Sequence, residues 1–276
     1  MKLLIACDME GISGVCNWDH VNPAHAEYHR FRRVMTGDVN AAIRGAAEAA
    51  GERLEEILVA DGHWNGTNIL VEELDNRARL NASSPSPLSM VEGVQYGVDA
   101  ALFIGYHARA GSLHAVLDHT WSSTRVANLW INDRVTGEFG LNASVCGHFG
   151  VPVLMISGDQ TVTAEAREWS PKIRTAVVKR ASGRYSASCL PLEKAQALIR
   201  QTAFEAVSAY LRDDCPEPLK MDTPVQVTLE FFNSNMADSA ELLPGAERLD
   251  GRRIRFTAPD MLAAYRSARA AVNLAG

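Results

Sequence analysis

Lys2-Leu3-Leu4-Ile5-Ala6-Cys7 runs without a break into Asp8-Met9-Glu10-Gly11, and this junction decides how the chain folds. A short, nearly unbroken apolar run bounded by acids and a glycine has the length and composition of a strand buried on both faces. Similar runs recur at Glu56 to Ala60, Ala100 to Gly105, Val151 to Ser157 and Thr175 to Lys179. Between the first two, Tyr28, Phe31, Met35, Val39, Ile43 and Ala46 repeat at intervals of three or four. That spacing predicts a helix from about Ala24 to Ala50, closed by Gly51. Strand, helical crossover and strand is the unit of a parallel sheet, so the fold class is α/β, a mostly parallel sheet flanked by helices.

Further along, Asn128 to Asn132 reads as another strand, Gly140 to Phe149 as a helix start and Leu192 to Leu211 as a long amphipathic helix. Arg212 to Pro224 is polar and carries three prolines, the best linker in the chain. Beyond it, Val225 to Phe232 and Arg253 to Thr257 alternate as strands with one wet face do, and Pro259 to Leu274 is an Ala-rich helix. The expected division is a catalytic α/β domain over 1–211 and a smaller C-terminal α+β part over 212–276.

The 276 residues, 47% hydrophobic and 22% charged, are enough for a substantial core and leave no room for a disordered or coiled-coil reading. A net charge of −6 without a long Lys/Arg cluster argues against nucleic acid as a partner. No apolar run approaches the roughly 18 residues that cross a bilayer, so no membrane span is expected. Leu4-Ile5-Ala6-Cys7 resembles a lipoprotein processing site, but the apolar stretch is too short and reads as a strand. Five cysteines with no C-x-x-C pair argue against a disulfide framework or a zinc knuckle and suit a reducing cytoplasm.

In an open parallel sheet, ligand sites gather at the carboxyl ends of the strands. Three predicted strands end in strong metal-ligand types: Asp8 and Glu10 after the first, Asp61-Gly62-His63 after the second, and Tyr106-His107 after the third. Each alone reads more readily as a helix N-cap, a turn acid or a satisfied polar residue. Together, two carboxylates and two imidazoles on one rim suit a borderline metal such as zinc, and a carboxylate can bridge two ions. Asp8 is the expected bridge. Glu138, between Gly137 and the predicted helix, is a further candidate, and Asp61 either orients a ligand imidazole or caps the next turn. His25 and His29 lie at i and i+4, but Glu27 is out of place for the zincin pattern. Cys7 and Cys146 read as packing residues.

At these residues the sequence resembles the D-aminopeptidase family of bacterial dipeptide-transport operons, the M55 metallopeptidases. The shared stretches are Asp8 to Gly14, Asp61-Gly62-His63, Ser89 to Gly93, Gly105 to Ala110, Ile131 to Arg134, Gly137-Glu138 through Ala143, Val151 to Met155 with Gly158-Asp159, and Asp260 to Tyr265. They run in the family's order from end to end. The resemblance implies two zinc ions held by Asp8, Glu10, His63, His107 and Glu138, a catalytic histidine at His119, and assembly into a large homo-oligomeric ring. It further implies hydrolysis of short peptides at an N-terminal D-residue. The spacing from His107 to His119 is one residue longer than the family's, which leaves His114 as a rival for the catalytic role, and Val15 to His29 matches no family stretch. Outside the resemblance, the same cluster suits another dinuclear hydrolase, a phosphoesterase or amidohydrolase, or a non-catalytic metal- or peptide-binding protein.

Overall fold

The computed structural model describes Met1 to Gly276. The elements run β1 (Lys2–Cys7), α1 (Tyr28–Ala50), β2 (Glu56–Asp61), β3 (Ala78–Asn81), β4 (Ala100–Ile104), β5 (Val126–Ile131), β6 (Arg134–Val135), α2 (Glu138–His148) and β7 (Val153–Asp159). They continue with α3 (Gln160–Trp169), β8 (Arg174–Gly183), β9 (Ser186–Cys189), α4 (Leu192–Tyr210), β10 (Val225–Phe231), α5 (Ser234–Ala240), β11 (Glu247–Arg248), β12 (Arg253–Ala258) and α6 (Met261–Leu274). The chain is therefore mixed α/β.

The larger sheet has the order β3-β2-β1-β4-β7-β8-β9 and is parallel except for the β8–β9 pair. Its central strands are apolar on both faces because both are covered. Leu3, Ile5 and Cys7 pack in one core with α1 and α4, while Leu4 and Ala6 pack in another with α2, α6 and the second sheet. That second sheet, β11-β12-β10-β5-β6, is antiparallel. It joins β5 and β6 from mid-chain to strands of the C-terminal part, so residue 212 falls between strands of one sheet. No helix is long and apolar enough to cross a membrane.

Helix α1 starts at Tyr28, four residues later than its periodicity predicts. Upstream, Ala24 N donates to Asn22 Oδ1 (2.9 Å) and Glu27 N to His25 Nδ1 (3.3 Å), local bonds that compete with a helical turn. Gly51, at φ 54°, ends the helix as expected.

Strand order creates the site. β2 follows β1 on one side and β4 lies on the other, so the connections diverge at β1 and open a crevice beyond its carboxyl end. Gly105 makes this crevice tight: it has φ 76°, and a side chain there would collide with the carbonyl of Asp8.

Candidate metal centre

Asp8 is the first residue past β1, and its N–H donates to Ile104 O at 2.9 Å. Gly11 N donates to Gly105 O at 2.8 Å, which folds the turn carrying Glu10 back over the end of β4. His63 stands two residues beyond β2 and His107 three beyond β4, while Glu138 opens α2. Since β1 lies between β2 and β4, Asp8 stands between the two histidines. All five side chains are buried, their residues 2–5% exposed.

The geometry divides into two halves that share Asp8. On one side, His63 Nδ1 lies 3.4 Å from Asp8 Oδ1 and 3.0 Å from Glu10 Oε2. On the other, His107 Nε2 lies 3.3 Å from both Asp8 Oδ2 and Glu138 Oε1. The far nitrogens fix the tautomers, because a carbonyl can only accept. His63 Nε2 donates to Val21 O (2.9 Å) and His107 Nδ1 to Ala108 O (3.0 Å). In the neutral rings this leaves an imidazole lone pair facing carboxylate oxygens in each half. Two acceptors turned toward each other repel unless a cation sits between them. Asp8 Oδ2 and His107 Nε2 have no hydrogen-bond partner. Donor separations near 3.3 Å are also the edge of a tetrahedron with bonds of roughly 2.0 Å, and nitrogen with carboxylate oxygen is a zinc-compatible donor set.

Without a metal, protons take the same positions. Burial pulls both imidazoles down, but the charge of Glu10 and bonding to Asp8 drive His63 well above its usual pKa, and Glu138 with Asp8 does the same to His107. Burial pushes Asp8 up, yet the close approach of His107 and His63 holds it well below the carboxylate range. Glu138 is lowered because His107 outweighs burial.

His119 joins the second half. Its ring stacks on His107 with centroids 3.9 Å apart, and its Nε2 is 3.8 Å from Glu138 Oε1. His119 Nδ1 donates to Leu117 O (2.8 Å), which leaves Nε2 as the basic nitrogen. Burial and the nearby His107 lower its pKa. Trp18 packs edge-on against the ring at 5.6 Å. His114 lies elsewhere: it is exposed and bonds Ser182 O at 3.0 Å. His25 and His29 are exposed outside the cluster. Three of the nine non-glycine residues at positive φ adjoin the site: Trp64 (52°) after His63, and Leu117 (52°) and Trp121 (63°) flanking His119. Such strain persists only where surrounding bonds over-determine the backbone.

Side chains around the cluster make those bonds, and Asp61 takes the second of its two expected roles. Asp61 accepts from Asn68 N (2.6 Å), Ile69 N (2.8 Å) and Asn68 Nδ2 (2.7 Å), so it caps the following loop and makes no bond to the His63 ring. Glu165 on α3 accepts from Arg109 N (3.0 Å), and Asp159 caps α3 while accepting from Val116 N (2.8 Å), tying down the loop between His107 and His119. Lys179 on β8, fully buried, donates to the carbonyls of Glu10 (2.6 Å), Ile12 (3.0 Å) and Val15 (2.8 Å). Trp121 N donates to Glu138 Oε1 (2.7 Å) and so orients it. Among Glu165, Lys179 and Trp121, which the sequence patterns do not single out, Lys179 alone has a local signal, a lone cation inside an apolar strand. Above the cluster lies a cavity of about 640 Å³, roofed in part by Trp18, Trp64 and Trp121 and by the α6 residues Arg269, Val272 and Asn273.

A family model described as D-aminopeptidase, that of the M55 peptidases, matches residues 1–270. A D-aminopeptidase of Bacillus subtilis (strain 168) is 40% identical over 278 residues, spanning 100% of this chain and 98% of the relative. Among solved structures, the Zn-dependent D-aminopeptidase DppA from Bacillus subtilis, a self-compartmentalizing protease, superposes with a TM-score of 0.94 at 38% identity. That match covers 100% of this chain and 98% of the other. The class of protein is a metallo-aminopeptidase. The chain belongs to the M55 family of D-aminopeptidases.

Proposed function

We propose that this chain is a zinc-dependent aminopeptidase that removes a D-residue from the free amino end of short peptides of the D-Ala-D-Ala kind. Two zinc ions per subunit are assigned to Asp8, Glu10, His63, His107 and Glu138, with Asp8 shared between them. One observation carries the reading: the two oxygens of Asp8 face two separate histidine lone pairs, at 3.4 and 3.3 Å, each in the company of a second carboxylate. The zinc dependence of the Bacillus subtilis relative supports the choice of metal.

When bound, zinc supplies Lewis acidity that brings water's ionisation toward neutral pH and polarises a carbonyl. The chain's own residues do the rest. Val21 O and Ala108 O hold the rings of His63 and His107 in the tautomers that leave a lone pair toward the cluster. His119, with Nδ1 tied to Leu117 O, presents Nε2 as a base that takes a proton and then passes it to the leaving amine. The tryptophans at the mouth limit water around the reacting bond. D-stereochemistry is carried over from the family. The self-compartmentalizing relative supports assembly of this chain into a homo-oligomer that admits peptides and excludes folded proteins.

The test is a matched set of D-Ala-D-Ala, L-Ala-L-Ala and N-acetyl-D-Ala-D-Ala with the zinc-loaded enzyme. The proposal expects kcat/KM to favour the D-dipeptide and the acetylated peptide to resist cleavage. Equal rates for D and L would remove the stereochemical claim. Cleavage of the acetylated peptide would remove the aminopeptidase claim.

A further inference from the structure

The cavity has charges of both signs, segregated by structural element. Its only acids are Asp8, Glu10 and Glu138, on the rim of the large sheet, and its only guanidinium groups are Arg125 and Arg269, on the wall built from the segment before β5 and from α6. The two arginines are used differently. Arg269 donates to Pro87 O (2.6 Å) and Ser86 O (2.9 Å) and lies over Trp121 and Tyr265, so it holds the wall together. Arg125 makes a single long side-chain bond, to Val272 O at 3.4 Å, and no ion pair, which leaves most of its five donors free.

The backbone of Arg125 is held at both ends. Phe232 N donates to Arg125 O (3.1 Å), which ties it to β10, and Arg125 N donates to Ser122 O (3.3 Å). Four residues back, Trp121 N is bonded to Glu138 Oε1. The segment from Trp121 to Arg125 therefore limits how far the backbone of Arg125 lies from the residue bonded to Glu138, and Arg125 lines the same cavity as the cluster. Fully extended, four residues reach roughly 14 Å, and the turn bonds at Ser122 shorten that. A dipeptide is a zwitterion whose charged ends are separated by roughly two residues, about 7 Å.

We infer that Arg125 binds the free C-terminal carboxylate of the substrate, so that the enzyme selects very short peptides by gripping both ends. The inference rests on the aminopeptidase reading above. A planar guanidinium with unused parallel N–H groups matches a carboxylate in two-pronged fashion, which neither an amide nor an ester end reproduces. Lengthening the peptide carries the carboxylate past Arg125, so the advantage of a free acid shrinks with length.

The experiment compares D-Ala-D-Ala with its C-terminal amide, as substrates and as ligands measured by calorimetry, for wild type, Arg125→Gln and Arg125→Lys. Wild type should prefer the acid by about 10- to 100-fold in kcat/KM, the size of one charge-assisted pair. In Arg125→Gln the ratio should fall toward one, and Arg125→Lys should keep part of it. No acid preference in wild type would overturn the assignment, as would Arg125→Gln slowing both substrates by the same factor. Should wild type cleave neither peptide, the aminopeptidase reading fails by itself. Arg125 is then judged by Kd alone, where an acid preference lost in Arg125→Gln supports it and its absence in wild type refutes it.

Discussion

His107 and His119 lie face to face, their ring centroids 3.9 Å apart and their planes within 9° of parallel. Stacking hides a difference between them. His107 Nε2 stands 3.3 Å from both Asp8 and Glu138, whereas His119 Nε2 approaches only Glu138, at 3.8 Å. His107 thus meets both Asp8 and Glu138, while His119 reaches Glu138 alone of the two.

The His119→Ala substitution should therefore leave the bound metal nearly unchanged and lower kcat by about 10²- to 10⁴-fold, the usual worth of a positioned proton carrier. His107→Ala and Glu138→Ala should lose metal as well as activity. Elemental analysis beside steady-state kinetics separates the two outcomes. A His119→Ala protein short of one metal would make His119 a ligand.

The candidate donors stand out in sequence because each follows a strand whose apolar run announces itself: Asp8 and Glu10 after β1, His63 after β2, His107 after β4. Their arrangement was readable only as far as the rule that sites lie at carboxyl edges. That Asp8 sits between the two histidines depends on β2 and β4 flanking β1, and strand order is set by packing that no local pattern encodes. The same limit hid the second sheet, since β5 pairs with β10 nearly a hundred residues later. The two-residue strands β6 and β11 are too short to show a period. The groups that orient His63 and His107 are backbone carbonyls, which carry no residue-type signature.

Lys179 is the test of how the turn carrying Glu10 is held. Its ammonium, fully buried, donates to the carbonyls of Glu10, Ile12 and Val15. Lys179→Met leaves these acceptors unpaired and should cost about 3 kcal/mol, with weaker zinc binding because the turn loosens. Urea denaturation and a competitive zinc titration would report both. Unchanged values would show that the turn holds its shape alone.

Asp38 gives a pH dependence of known sign. Burial pushes its carboxyl up to about 6, against the Ser13 N–H that donates to it at 3.0 Å. The folded state thus binds a proton more tightly than the unfolded chain, whose carboxyl titrates near 3.9, and stability falls as pH rises from about 4 through 6. Asp38→Asn removes this contribution. Between pH 4 and 7 the metal-free wild type should lose about 2–3 kcal/mol more than the variant, measured by urea denaturation at each pH. Parallel stability curves would contradict the assignment.

The central claim is that Asp8 joins two metal positions in one site, and zinc titration of metal-free protein tests it most directly. Hydrolysis of D-Ala-D-Ala and bound metal are followed together as zinc is added. The account predicts activity that reaches its plateau only at about two equivalents per chain, and an Asp8→Asn protein that never reaches it. Full activity at one equivalent, with no gain from the second, would contradict it.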